Sequence, residues 1–190
     1  MDGKLKRLIF AVENKGENYD VHGAVCNALG ISFAKSMPFT WRQHNGRVFV
    51  HTVCDSVIKE GDAVVSNGCT LRLNSIHVYN DKPVVGQDIL FITKVNPTKT
   101  IGKSKKPVGI NELPQWLQGK ASRGGFAINH FDIEGYGRET IVKGHKVWNA
   151  AYYNLKMYVT VKDPDAVIDF MANGIGRSKF YGFGFVLCVV

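Results

Sequence analysis

A tyrosine and a histidine three residues apart are the side chains best suited to acid-base chemistry. Tyr19 and His22 begin an amphipathic segment that predicts a helix from Tyr19 to about Leu29, with Asn18 as its N-cap. Residues three apart lie side by side on a helix, and the positive end of the helix dipole disfavours imidazolium. His22 would then accept a proton near pH 7, and Tyr19 would orient it or donate to a phosphate oxygen. The same spacing fits a partly buried histidine packed beside a tyrosine.

A glycine-rich loop near the end of the chain is the second candidate site. Residues 174 to 184 hold Gly-Ile-Gly and Gly-Phe-Gly, and the segment between them includes Arg177 and Lys179. Glycines let backbone N–H groups approach a partner closely, and the two cations favour an anion such as a phosphate chain. Gly174, Gly176, Arg177 and Lys179 are therefore candidate anion-binding residues.

Other glycine-rich signatures fit this loop less well. A dinucleotide fingerprint opens a helix, whereas this loop follows a helix and opens a strand, and no GK[ST] occurs. Residues 182 to 187 approach the signature of RNA-recognition motifs, but Tyr181 replaces its leading cation and Cys188 its last aromatic. Phe183 and Phe185 suit a core or a loop anchor better than an exposed stacking platform.

Two further segments are basic. Residues 94 to 106 contain lysines and no acid, which is typical of a solvated loop and equally of a loop that contacts phosphates. The segment from 135 to 146, between two predicted strands, is expected to project as a basic hairpin tip. The candidate RNA-binding side chains of these two segments are Lys99, Lys103, Lys105, Lys106, Arg138, Lys143, His145 and Lys146.

The composition is that of a basic globular protein. Its 190 residues carry a net charge of +8, which points to nucleic acid or to an acidic membrane surface. No segment has the apolar length of a membrane span or a secretory core. Cysteines without a CxxC pair predict buried free thiols in a reducing cytoplasm. No Asp, Glu or His cluster has metal-ligand spacing, so neither a metal nor another cofactor is expected.

The order of predicted elements repeats itself along the chain. Predicted strands cover residues 5–12, 40–43, 47–53, 70–78, 88–95, 126–133, 147–153, 155–161 and 185–190. A turn or short helix at 55–62 and helices starting at Asn111 and Asp163 alternate with them, and Asp163 is a good N-cap. Asn45-Gly46, between the second and third strands, is a hairpin signal. Each half thus follows the βαββαβ plan, which predicts an α+β protein with two tandem ferredoxin-like (RRM-like) domains, residues 1–85 and 86–190.

Five motifs in this order resemble the CasE-type CRISPR-associated endoribonucleases of the RAMP superfamily, which cut precursor CRISPR RNA within each repeat. The motifs are Tyr19-x-x-His22, Asn96-Pro97 followed by Gly102-Lys103, Trp116-Leu117 leading into Gly124-Gly125-Phe126, Asp163-Pro164, and the terminal glycine loop. The match covers essentially the whole chain.

The resemblance implies metal-independent cleavage at the 3′ base of a repeat hairpin, leaving 2′,3′-cyclic phosphate and 5′-hydroxyl ends. His22 would be the general acid or base and Tyr19 its positioning partner, both in the first domain. The basic hairpin, lysine-rich loop and glycine loop of the second domain would hold the RNA. The protein would be cytoplasmic, with no membrane partner, and would stay bound to the mature crRNA together with other subunits of a CRISPR surveillance complex.

Two positions depart from the family pattern and leave an alternative open. The family often places arginine directly after the histidine and another cation one turn later, where this chain has Gly23 and Asn27. Nearby cations offset the charge that develops on a phosphate during cleavage. The alternative is a non-catalytic or weakly catalytic RNA-binding subunit of the same fold. A general single-strand RNA binder and a metal-dependent nuclease are more distant possibilities.

Overall fold

The computed structural model describes residues 4–15, 20–31, 39–54, 56–66, 68–143 and 145–189. Contacts between Cα atoms divide the chain into two compact units, Met1–Asp81 and Lys82–Val190. Each unit contains an antiparallel sheet, packed against one described helix in the first unit and two in the second, which confirms the α+β, tandem ferredoxin-like class.

The first unit is built on a five-stranded sheet. Its elements are β1 (Lys6–Lys15), α1 (Val21–Ala28), β2 (Phe39–His44), β3 (Arg47–Thr52), β4 (Ala63–Ser66) and β5 (Cys69–Val78). The strand order is β2-β3-β1-β5-β4, so β1 lies at the centre between β3 and β5. Without β4 this is the ferredoxin-like order, and β4 extends the sheet beside β5.

Local sequence explains these elements. Leu8 and Phe10 alternate along β1 and are fully buried under α1, whose Ala24 and Val25 face the sheet. β2 and β3 are joined at Asn45-Gly46, where both residues have positive φ, as the predicted two-residue hairpin turn requires. The hairpin and the central strand together form the floor on which α1 packs.

The start of α1 differs from the sequence prediction. Its N-cap is Asp20 and not Asn18, and the helix begins at Val21. Asn18 and Tyr19 lie outside the described residues. Asp and Asn are both good N-caps, so cap preference alone does not separate Asp20 from Asn18. The packing of Val21 and Val25 on the sheet decides where the helix begins.

The segment between β3 and β5 also differs. Among its described residues, 56 to 62 form turns, which leaves the first unit without the second helix of the βαββαβ plan there. The short strand β4 follows and pairs with β5, although no strand was predicted at this place.

The second unit has a four-stranded sheet and a separate hairpin. Its elements are β6 (Asp88–Val95), β7 (Thr98–Ile101), β8 (Ser104–Pro107), α2 (Leu113–Arg123), β9 (Phe126–Lys143), β10 (Lys146–Val161), α3 (Pro164–Asn173) and β11 (Val186–Val189). A 3₁₀ turn at Ile110–Glu112 leads into α2, and another lies at Lys179–Tyr181. The strand order β11-β6-β10-β9 is that of a ferredoxin-like domain.

The core of this unit lies between the sheet and its two helices. Every second residue of β10 from Leu155 to Val161 is buried, and the buried residues of α2 and α3 face them. Phe91, Phe126 and Phe170 form a triangle of rings with centroids 4.9 to 5.9 Å apart. Asp163 caps α3 as predicted, because its side chain accepts hydrogen bonds from the backbone N–H groups of Asp165 and Ala166.

Two segments predicted as loops are strands. Residues 98 to 107 form the β7–β8 hairpin, named here the lysine hairpin. The predicted tip from 135 to 146 is mostly strand. β9 and β10 pair along their length, from Phe126 opposite Val161 to Lys143 opposite Lys146. The glycines at 135 and 137 are accommodated inside β9, opposite Asn154 and Tyr152. No helix among the described residues is long and apolar enough to cross a membrane.

Candidate functional site

The candidate general acid or base, His22, lies in the first turn of α1. Asp20 accepts a hydrogen bond from the backbone N–H of Gly23 at 3.1 Å, which fixes the turn that carries His22. Only 6% of His22 is exposed. Its ring stacks on Phe39, with centroids 5.2 Å apart and planes 26° apart. Burial and stacking hold the imidazole in one orientation.

Cys26 lies one turn further along the same face of α1. Its Sγ is 3.7 Å from Nε2 of His22, within hydrogen-bonding distance for sulfur. Burial, and secondly the negative charge of Asp20, raise the pKa of the Cys26 thiol, so it stays protonated at neutral pH. A thiol that donates to Nε2 requires the neutral imidazole, which is the form of histidine that accepts a proton.

The surroundings of His22 differ from the sequence expectation in charge. The cap of α1 is a carboxylate, which offsets part of the positive potential of the helix N-terminus. The Asn27 side chain donates to the hydroxyl of Ser66 on β4, and the N–H of Gly23 is bound by Asp20. Tyr19, the predicted partner of His22, lies outside the described residues.

Asn96 joins three basic segments of the second unit. It follows β6, and 6% of it is exposed. Its Nδ2 donates to the carbonyl of Ala151 on β10 at 2.6 Å, and its own carbonyl accepts from the N–H of Arg177 at 3.1 Å. Its Oδ1 accepts from the hydroxyl of Ser178 at 3.4 Å. One side chain thus links the start of the lysine hairpin, the β9–β10 pair and the glycine loop.

The lysine hairpin presents most of its cations to solvent. Lys103, Lys105 and Lys106 are exposed. Lys99 is opposite Lys106 in the strand register, but its ammonium forms an ion pair with Glu112. That ammonium, and secondly the N–H of Gly109, hold the pKa of the Glu112 carboxyl below its ordinary value. The four lysines are therefore not equivalent, because Lys99 already has an anionic partner.

The glycine loop is held by backbone contacts that admit no side chain at Gly184. The N–H of Gly184 donates to the carbonyl of Lys94 at 2.7 Å, and the carbonyl of Gly184 accepts from the N–H of Ile175 at 2.9 Å. With φ at +78°, a Cβ here would lie 2.2 Å from the Ile175 carbonyl oxygen. A Cβ added at Gly176 would lie 3.0 Å from the carbonyl oxygen of Asn96. These glycines permit close approach between backbone segments of the protein.

The two cations of the glycine loop have different surroundings. Arg177 is exposed, whereas the ammonium of Lys179 donates to the carbonyl of Asn173 at the end of α3. Burial lowers the pKa of Lys179. Arg177 is therefore the more accessible of the two for an external anion.

The outer part of the β9–β10 pair, residues 135 to 153, is named here the arm. Arg138 and His145 are exposed on it, while the side chains of Lys143 and Lys146 lie outside what the structure describes. Lys94 pairs with Glu139 and lies over the rings of Tyr152 and Phe183, 4.4 and 4.9 Å from their centroids. A small apolar cluster fixes the glycine loop to the arm and comprises Ile141, Trp148, Ala150, Tyr152, Tyr181 and Phe183.

Three residues outside the predicted set of site residues contribute to this surface, and the sequence had marked one of them, Asn96, only as part of a motif. Asn96 joins its segments through contacts distant in sequence, which spacing cannot reveal. Tyr136 is exposed on the arm, and residues 136 to 142 carry no clear alternation of apolar and polar residues that would have predicted a strand there. Lys120 lies over the ring of Trp116, 5.1 Å from its centroid, and its pKa is lowered by burial and then by nearby cations.

The structure therefore unites most of the predicted RNA-binding segments within the second unit. The lysine hairpin, the glycine loop and the arm meet at Asn96, and His22 belongs to the first unit. Within the described parts of the chain, no group of three or more His, Cys, Asp and Glu side chains is arranged to hold a metal ion. Phe183 and Phe185 are buried, as predicted, and do not form an exposed stacking pair.

Solved structures resemble the chain over nearly its full length. CRISPR endoribonuclease Cse3 bound to a 19-nucleotide RNA matches with a TM-score of 0.79 and 16% identity, covering 99% of this chain and 100% of that one. Cse3 of Thermus thermophilus bound to an RNA representing a pre-cleavage complex gives 0.73 at 14% identity, covering 98% and 100%. The CRISPR-associated protein Cas6e of Escherichia coli gives 0.67 at 18% identity, covering 97% and 98%. Identities this low show a shared fold.

The family is shown by sequence. No curated protein matches the chain in sequence. A family model described as CRISPR associated protein matches residues 9–189. The chain therefore belongs to the family of CRISPR-associated proteins, and its fold is that of the CasE-type members.

Proposed function

We propose that the chain is a metal-independent endoribonuclease that binds the hairpin of a CRISPR repeat and cuts precursor crRNA at the 3′ base of that hairpin. The observation that carries this proposal is the full-length likeness to Cse3, which was solved bound to RNA. Membership of the CRISPR-associated family supports the substrate class. After cutting, the protein would remain on the mature crRNA with other subunits of a surveillance complex.

The chemistry requires a 2′-hydroxyl, a proton acceptor and groups that stabilise negative charge. The 2′-hydroxyl upstream of the scissile phosphate attacks phosphorus, and the bond to the leaving 5′ oxygen breaks. His22 would accept the hydroxyl proton or give one to the leaving oxygen, a role that contributes about 10²- to 10⁴-fold in rate. Tyr19 would position the imidazole or the phosphate. The products are a 2′,3′-cyclic phosphate and a 5′-hydroxyl.

The second unit would supply most of the RNA contacts. Lys103, Lys105 and Lys106 of the lysine hairpin and Arg138 of the arm are exposed cations. Such side chains bind phosphates and position RNA without reading its sequence. The exposed Arg177 of the glycine loop adds a further cation.

Incubation of the purified chain with end-labelled repeat RNA in excess chelator tests this proposal. We expect a single cut at the 3′ base of the hairpin, with a cyclic phosphate on the upstream product. A 2′-deoxy substitution at the nucleotide before the cut removes the nucleophile and should abolish cleavage without abolishing binding. Cleavage that stops in chelator, or that survives the 2′-deoxy substitution, would contradict the mechanism.

A second function, RNA binding without efficient cleavage, is favoured by one observation. His22 is almost completely buried, and Gly23 and Asn27 provide no positive charge beside it. A subunit of this kind would bind the repeat hairpin tightly and leave it intact in the same assay. Competition with unstructured RNA separates both functions from a general single-strand binder, because a hairpin-specific protein prefers the hairpin.

A further inference from the structure

Tyr136 presents an aromatic ring on the surface of the arm. It lies on β9 and is 70% exposed, the highest exposure of any aromatic side chain in the described part of the chain. Arg138 is two residues further on and therefore on the same face of the strand. The face thus carries an aromatic ring and a cation in adjacent positions.

The ring of Tyr136 is supported from below. Tyr136 is directly opposite Tyr153 in the β9–β10 register, and the two rings stack with centroids 6.2 Å apart and planes 29° apart. Tyr153 is only 7% exposed, and its hydroxyl donates to the carbonyl of Val108 at 3.1 Å. The buried ring cannot move easily, so one side of Tyr136 is fixed against it and the other side is available.

The hydrogen bond from Tyr153 to Val108 connects the stacked pair of tyrosines to the lysine hairpin. Val108 directly follows the hairpin, and its N–H donates to the carbonyl of Pro97 at the start of the hairpin, at 3.0 Å. The hairpin with its exposed lysines is thus joined to the residue beneath Tyr136, and Arg138 lies beside the ring on the same strand face. The ligand that suits a flat ring bordered by cations is a nucleobase with its phosphates.

We propose that Tyr136 is a stacking platform for one nucleobase that lies outside the paired stem of the RNA. This inference rests on the proposed RNA-binding function and adds a base contact to it. Inside a duplex each base is covered above and below by its neighbours, so only an unpaired base or the end of a stem offers a free face. Arg138 and the exposed lysines of the hairpin bind the phosphates next to that base.

Tyr158 provides a matched control. It lies on β10 of the same unit, is 43% exposed, and also stacks on a neighbour, His130, with centroids 6.0 Å apart. Its surroundings differ, because the carboxylates of Asp132 and Glu134 lie on the adjoining strand, where Asp132 contacts His130 and Glu134 pairs with Lys156. A change at Tyr158 therefore alters an exposed, stacked tyrosine without removing the proposed platform.

The experiment compares Tyr136→Leu, Tyr136→Phe and Tyr158→Leu with the unmodified chain. Binding to fluorescent repeat RNA is measured by anisotropy, and melting temperatures show that each variant is folded. We expect Tyr136→Leu to weaken binding about 5- to 150-fold, the range for one stacked base, and Tyr136→Phe to bind normally. Tyr158→Leu should bind like the unmodified chain. Equal affinity of Tyr136→Leu and Tyr158→Leu would overturn the proposal.

Modified RNA identifies the base and excludes a merely structural effect. Single abasic nucleotides are placed in turn outside the stem. At one position the abasic RNA should bind the unmodified chain as weakly as normal RNA binds Tyr136→Leu, with no further loss when both changes are combined. Additive losses at every position would overturn the stacking contact. If the unmodified chain bound no repeat RNA at all, the proposed function itself would fail, which is a distinguishable result.

Discussion

The carbonyl of Asn96 accepts a hydrogen bond from the N–H of Arg177, 81 positions later in the chain, at 3.1 Å. The contact ties the glycine loop to the end of β6. The Asn96 side chain also binds the carbonyl of Ala151 on the arm. One buried residue therefore determines how three basic segments are placed relative to one another, and its loss should affect stability and RNA binding together.

Replacement of Asn96 by aspartate tests this junction. The carboxylate cannot donate to the Ala151 carbonyl and would face it with negative charge. We expect the free energy of unfolding to fall by about 1–3 kcal/mol, the cost of an unsatisfied buried polar group. Urea denaturation measures the loss, and Asn111→Asp, at an exposed position, is the control. Equal stability of the two variants would show that the junction contributes little.

Gly184→Ala should disrupt the glycine loop. The new Cβ would lie 2.2 Å from a backbone oxygen, and the residue has φ of +78°. We expect destabilisation of about 2 kcal/mol or more, since a left-handed residue alone costs about 1–2 kcal/mol. Gly102 is the matched control, because it has φ of +57° and no atom within 4 Å of the added Cβ. Similar unfolding curves for both alanine variants would contradict the role of close packing at Gly184.

The opposed pair Lys106 and Lys99 allows a test of the lysine hairpin. The affinity of a protein for nucleic acid falls with salt concentration, with a slope of roughly 0.7–0.9 per phosphate contact in a log-log plot. Lys106→Ala should reduce this slope by about that amount. Lys99→Ala should reduce it less, because Glu112 already pairs with Lys99. Anisotropy titrations across a range of salt concentrations measure both, and a larger effect of Lys99→Ala would contradict the assignment.

Much of the fold could be predicted because it depends on local patterns. The bounds of β6 match the prediction, Asp163 caps α3, and Asn45-Gly46 forms the predicted hairpin turn. In each case an alternation, a cap or a turn signal lies within a few residues. Cys26 and Cys69 are buried as expected, whereas Cys54 and Cys188 are half-buried.

The arm and the lysine hairpin could not be predicted in the same way. Both project exposed side chains on at least one face, so the usual alternation of apolar and polar residues is weak there. The glycines at 135 and 137 are unfavourable in a strand, but a long paired strand can accommodate glycine where its partner supplies large side chains such as Tyr152. The strand β4 is short and only half-buried, and its pairing with β5 stabilises it more than its own sequence does.

The internal partners of the basic residues could not be predicted from the sequence either, for a different reason. Lys99 pairs with Glu112, Lys94 with Glu139, and Lys179 with the carbonyl of Asn173. Composition counts all these lysines equally, and only the fold distinguishes the ones with an internal partner. The predicted stripe of α1 did place His22 beside buried residues, but sequence could not show that Phe39 would stack on its ring.

Single-turnover cleavage of repeat hairpin RNA by His22→Ala, in chelator and beside the unmodified chain, tests whether His22 is the general acid or base. His44→Ala is the control, since His44 is an exposed histidine of the same unit. We expect His22→Ala to lose about 10²- to 10⁴-fold in cleavage rate while its affinity for the RNA and its fold are retained. A folded His22→Ala variant that cleaves as fast as His44→Ala would contradict it.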